Sequence, residues 1–193
     1  MQRLWELFLA SILSQNIALI FILGMCSLIA VSTSIKNAFN MGVAVVLVVT
    51  LTAIINWPIY QLLIRTNTTN LALLIFMITI AATVQILEMA IEKYLPKLYN
   101  SFGIFLPLIT VNCVVLAISL FFMNRDYTFA ETAVYSFGSG IGWLLAIVLL
   151  AGVRVKMKEI SNIPKGLRGR AIAFIILGIL ALSFFAFTGI GSA

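Results

Sequence analysis

A chain of 193 residues with 63% hydrophobic and 9% charged side chains and a mean hydropathy of +1.17 falls outside the soluble globular class, where charged residues make up about a quarter of the total. Its 12 lysines and arginines against 6 acids are too few and too scattered for a nucleic-acid surface, and they serve as markers of membrane topology. The absence of histidine rules out bis-histidine haem, histidine-bound zinc and histidine proton relays. It leaves Cys26 and Cys113 as the only soft metal ligands.

Windows of about 20 apolar residues mark membrane spans, because about 30 Å of hydrocarbon is crossed at about 1.5 Å per residue. Six such windows fall at residues 5–31, 41–64, 71–94, 102–123, 131–152 and 171–190. They predict an all-α integral membrane protein, a single membrane domain with short connections. The first window is longer than a signal-peptide core and is interrupted by Ser11, Ser14, Gln15 and Asn16, so it reads as a span and not a cleaved leader. It continues into L-G-M-C-S, where Gly24 removes the side chain that would resist a bend. The third window holds Glu88, the one carboxylate well inside an apolar segment, with Gln85 and Glu92 on the same helical face.

The fourth window contains L-P-L-I-T-V-N-C at residues 106–113. Pro107 removes a backbone donor and crowds the carbonyl four residues earlier. Thr110 and Asn112 are then local partners for the freed backbone groups, which hydrocarbon cannot satisfy. Asp126, in the connection that follows, is expected to pair with Arg125 or to cap the next helix, and Glu131 to occupy that helix's first turn, where negative charge suits the dipole. The fifth window alternates Gly138, Gly140 and Gly142 around Ser139. It lacks the Lys-Ser/Thr pair of a phosphate loop; small residues at this spacing favour close helix packing, with a cation or cofactor passage as the lesser reading.

Placing the amino terminus, the 2/3 and 4/5 connections and the carboxyl terminus on one side of the membrane gives that side Arg3, Arg65 and Arg125. The other side receives Lys36, Lys93, Lys97, Arg154, Lys156, Lys158, Lys165, Arg168 and Arg170. The base-rich side is cytoplasmic, so both termini face outward. Six helices divide into two groups of three, about 1–95 and 96–193, and an odd number forces the second group to enter from the opposite side. The halves are two inverted three-helix repeats, and the irregular helix is the first of each. S-Q-N-I-A-L at 14–19 matches V-N-C-V-V-L at 111–116 on the asparagines. Helices 1 and 4, broken near the midplane in corresponding positions, point to a functional centre there; plain cross-helix hydrogen bonds, worth about 0.6 kcal/mol each, are the alternative.

A lone buried cysteine is usually a small hydrophobe. Cys26 and Cys113, however, each lie in the broken helix of their half, and two thiolates are half of a four-sulfur iron site. Metal bound here would draw the remaining ligands from a second chain. A disulfide between them is disfavoured by their place in apolar segments. For Glu88, the cost of an intramembrane acid points to a cation entry site, with a structural ion pair as an equal alternative.

The stretches L-G-M-C (23–26), Q-I-L-E-M (85–89), L-Y-N-S-F-G-I-F-L-P-L-I-T-V-N-C (98–113), N-R-D-Y-T-F-A-E (124–131), Y-S-F-G-S-G-I-G-W (135–143) and L-R-G (167–169) resemble the E-subunit family of the bacterial Na⁺-translocating NADH:quinone oxidoreductase. The same superfamily holds the D-type chain of that complex and the A and E subunits of the Rnf electron-transport complex. The resemblance implies a component of a multi-subunit translocase in the bacterial inner membrane, passing electrons from NADH to a quinone such as ubiquinone while Na⁺ moves outward. It implies a 2Fe-2S centre shared with the homologous D-type chain, for which Cys26 and Cys113 are this chain's ligands and Gly24, Pro107, Thr110 and Asn112 their surroundings. The A, B, C and F subunits are the further partners, and flavin and NADH belong to them. The Rnf A subunit, sharing G-I-F-L-P-L-I-T-x-N-C, and a non-redox cation transporter built on Glu88 are the competing readings.

Overall fold

The fifth apolar window understates the helix that organises the molecule. Hydropathy marks only the length that matches hydrocarbon, and V-R-V-K-M-K-E-I after residue 152 has no glycine or proline to stop the helix. The computed structural model describes residues 2–66, 71–94, 112–160 and 169–188. Among them are seven helices and no strand: α1 Gln2–Ile12, α2 Met25–Val31, α3 Ile35–Arg65, α4 Ala72–Tyr94, α5 Cys113–Asn124, α6 Phe129–Ile160 and α7 Arg170–Thr188. Three of these, α3, α4 and α6, are long and apolar enough to cross a membrane. The expected break in the first window is present, since residues 13–24 are not helical and separate α1 from α2. In the fourth window, Pro107 and Thr110 lie outside the described residues, and the helix is described from its cap at Asn112 onward.

The sequence places the start of α6 through T-F-A-E. Glu131 accepts the Thr128 N–H at 3.0 Å and the Thr128 hydroxyl at 2.9 Å, satisfying amide groups that the first turn leaves unpaired. The Arg3 guanidinium lies 3.2 Å from the same carboxylate, so Glu131 holds its expected first-turn position and also ties down the amino-terminal helix. Asp126 departs from expectation. It accepts a hydrogen bond from the Tyr60 hydroxyl at 3.2 Å, whereas Arg125 donates to the Gln15 side-chain oxygen and, at 3.0 Å, to the Tyr127 hydroxyl. The reason lies in α3: Tyr60 also donates to the Met123 carbonyl and Trp57 to the Tyr127 carbonyl, at 3.2 and 3.0 Å. The connection is thereby folded back over α3, which takes up Asp126.

Packing follows the glycines. A Cβ on Gly138 would lie 2.0 Å from the Ser11 hydroxyl, and one on Gly142 would lie 3.1 Å from the Asn16 amide and 3.2 Å from the Ile12 carbonyl. Gly140, on the other face, would meet the Val46 backbone at 3.0 Å. Alternation at this spacing therefore wedges α6 between α1 and α3, its two largest packing partners. Behind α3, Asn56 donates to Ser119 on α5 at 2.9 Å and accepts from Thr79 on α4 at 2.7 Å. That amide is buried and joins three helices, a suitable use of a polar side chain where no water competes. The outer surface stays apolar, with Ile78, Leu182 and Phe185 among its most exposed side chains.

Candidate metal centre at the first-span break

Twelve non-helical residues in an apolar setting need partners for their backbone groups. Asn16, fully buried, makes four hydrogen bonds, two of them to backbone N–H groups of the break. Its oxygen accepts the N–H groups of Ala18 and Leu19 at 3.0 and 3.3 Å, and its amide donates to the carbonyls of Ile12 and Gly142 at 3.0 and 2.9 Å. Asn112 caps α5 in the same manner, its oxygen accepting the Val114 N–H at 3.1 Å. Both asparagines thus hold the amide two residues ahead.

The depth of the break is read from α6, which runs alongside the first span in the same direction. Arg3 pairs with Glu131, Ser11 meets Gly138, Asn16 bonds Gly142 and Gly24 meets Trp143. The two ends of the break therefore lie together at residues 142–143, about midway between the ends of α6 at Phe129 and Ile160.

Gly24 closes the break. Its φ of 81° is left-handed, and a Cβ there would lie 2.5 Å from Val114 Cγ2 and 2.7 Å from Trp143 Nε1. Both conditions select glycine. Its N–H donates to Cys113 Sγ at 3.0 Å, and Cys26 follows two residues later in the first turn of α2. Gly24 thus bonds one expected ligand across 89 residues of sequence and lies two residues from the other. Both thiols are free; Cys113 is half-buried and Cys26 exposed. Cys26 opens onto a cavity of about 300 Å³ lined by Met25, Ile29, Ala30, Arg170 and Phe174.

Among the described residues, no group of three or more His, Cys, Asp or Glu comes together, so two sulfurs are the donor set that this chain shows. Their surroundings are donors. Besides the Gly24 N–H, the buried Trp143 Nε1, which lies beside Gly24, and Asn112 Nδ2, on the residue before Cys113, have no hydrogen-bond partner among the described residues; both are N–H donors, the kind of group that favours negative charge on a sulfur it reaches. Such a setting fits part of a sulfur-rich, anionic iron group better than a bare cation held by oxygen. Trp143 is not singled out by the sequence, where it reads as the end of a glycine stretch; its single fixed donor was the available signal.

Glu88 is half-buried on α4 and makes no hydrogen bond or ion pair among the described residues, while Gln85 and Glu92 are exposed. No such bond links it to the cysteines.

The chain matches the family described as "Rnf-Nqr subunit, membrane protein" over residues 4–191. It is 47% identical to a protein of Maridesulfovibrio salexigens named as the E subunit of the Na(+)-translocating NADH-quinone reductase, covering 98% of this chain and 99% of that one. A protein of Marinobacter nauticus with the same name is 46% identical, with the same coverage. At such identity over nearly the full length of both relatives, the chain belongs to the Rnf-Nqr family of membrane subunits.

Proposed function

We propose that this chain is the membrane electron-transfer component of a Na⁺-translocating NADH:quinone reductase, the activity for which its 46–47% identical relatives are named. In this reading Cys26 and Cys113 supply two of the ligands of an iron-sulfur centre, a 2Fe-2S cluster shared with the homologous D-type chain. The A, B, C and F subunits complete the complex in the bacterial inner membrane. The fold is completed as six spans in two inverted repeats, with both termini periplasmic. The observation that supports the reading is the 3.0 Å bond from the Gly24 N–H to Cys113 Sγ, with Cys26 two residues from the same glycine.

An iron-sulfur group held there would supply one-electron chemistry. The chain's own residues do the rest. Asn16 and Asn112 satisfy the backbone around the site, Gly24 admits Val114 and Trp143 to close contact, and the N–H groups of Gly24 and Trp143 favour added negative charge on sulfur. Glu88, a carboxylate in an apolar setting, is the candidate for Na⁺ entry. Names that specify quinone reductase at 46–47% identity favour this complex over its ferredoxin-linked counterpart.

The test is iron content and electron paramagnetic resonance on the purified intact complex, wild type against Cys26→Ser and Cys113→Ser. Each variant is expected to lose the cluster signal and NADH-driven quinone reduction while the subunits stay assembled. Iron and turnover that survive both substitutions sink the reading. In the same preparation, Glu88→Gln is expected to weaken Na⁺ activation of turnover several-fold; an unchanged Na⁺ response makes Glu88 structural.

A further inference from the structure

Arg154 counts in the sequence as a topology marker, yet it is only 6% exposed. It lies on the face of α6 that also carries Trp143, eleven residues or about three turns further along. Its Nη1 donates to the Ile29 carbonyl at 2.9 Å and to the Ser32 hydroxyl, both at the carboxyl end of the short helix α2. At the other end of α2, Trp143 is in contact with Gly24. The helix that bears Cys26 is therefore held at both ends by a single face of α6. Among the described residues no carboxylate lies within ion-pair distance of Arg154. A buried guanidinium without a counter-ion is costly, and two hydrogen bonds alone do not explain why a permanent charge is placed there, since a neutral donor would make them.

We infer that Arg154 is a positioning residue for Cys26 and the fixed positive charge that balances the electron received by the centre Cys26 and Cys113 hold. The inference rests on the redox reading above. In the step concerned, the centre gains one electron delivered from NADH through the complex and takes up no proton, so its charge falls by one while Arg154 stays cationic. Ile29 lies one turn beyond Cys26, about 4.5 Å of helical rise. The guanidinium is thus on the order of 10 Å from the sulfur, where unit charges at an effective dielectric constant of about 20 interact by roughly the energy of a tenfold change in equilibrium. A neighbouring cation favours the reduced form, so its removal lowers the reduction potential.

The experiment is a redox titration of the cluster's paramagnetic signal in the intact complex. Arg154→Gln keeps a donor for Ile29 and Ser32 but removes the charge; the one-electron equilibrium is expected to shift about tenfold toward the oxidised form, about 59 mV. Arg154→Lys keeps the charge and is expected to retain most of the wild-type potential. Ser32→Asp keeps Arg154 but neutralises it with an adjacent carboxylate and is expected to lower the potential like Arg154→Gln, which leaves a measurement in hand if that variant fails to assemble. A wild-type signal whose potential moves in neither Arg154→Gln nor Ser32→Asp overturns the inference and leaves the redox reading standing. No iron signal in wild type removes both.

Discussion

The first span and α3 treat the backbone in opposite ways. The first span has no proline and loses its helix for twelve residues, whereas α3 carries Pro58 and stays helical from Ile35 to Arg65. A proline deletes one hydrogen bond and crowds one carbonyl, a local fault that flanking turns absorb, and Pro58 is exposed on the outer surface. A twelve-residue break frees many more groups, and it exists where the Asn16 side chain and Cys113 Sγ are present to take some of them. Inside a membrane, the supply of partners decides where a helix opens, more than the helix breakers in its sequence.

The two largest effects are expected from Gly24→Ala and Asn16→Leu. Left-handed backbone at a non-glycine costs about 1–2 kcal/mol, and overpacking against Val114 and Trp143 adds about 1–3 kcal/mol. A loss of several degrees in the thermal midpoint of the purified complex is the measurement; an unchanged midpoint breaks the view that the glycine closes the break. Asn16→Leu leaves the Ala18 and Leu19 N–H groups and the Ile12 carbonyl without their partner in the interior, each worth about 1–3 kcal/mol if nothing replaces the bond. The same change at Asn112 removes one observed bond of a cap and costs about 1 kcal/mol. Thermal unfolding of the two variants side by side is expected to rank Asn16 above Asn112, and the reverse order would mean that the second half depends more on its asparagine. The smallest effect belongs to Pro58→Ala, expected within about 0.5 kcal/mol of wild type, as for exposed positions generally. A large change in stability there would give the proline a role that the contrast with the first span denies it.

The apolar windows located every described helix but not their ends, because hydropathy measures the hydrocarbon length and α3 and α6 extend past it into polar layers. The break in the first span was legible from Gln15, Asn16 and Gly24, residues that an unbroken lipid-facing helix has no use for. Cys26 and Cys113 were singled out in the sequence as the only soft metal ligands in a chain without histidine. The bond from the Gly24 N–H to Cys113 was not legible, since it depends on how α5 seats Val114 against Gly24. Trp143 and Arg154 were hidden for a different reason. Each had a sufficient ordinary explanation, one as an apolar ring and the other as a positive-inside charge, and only burial beside α2 distinguishes them. Asp126 has a charged neighbour in sequence, whereas Tyr60, 66 residues away, is the group that reaches it.

The parallel course of the first span and α6 also works as a ruler. From Arg3, paired with Glu131, to Ser32, bonded to Arg154, the first span uses 29 residue steps to match a depth that α6 covers in 23. The excess is coiled into residues 13–24, and it appears in the sequence as an apolar window longer than a membrane requires. Both ends of the segment are tied to the same helix, so the excess is held within residues 13–24. An unusually long first hydrophobic stretch in a chain of this kind is therefore a record of backbone folded inward, readable as length before any residue in it is named.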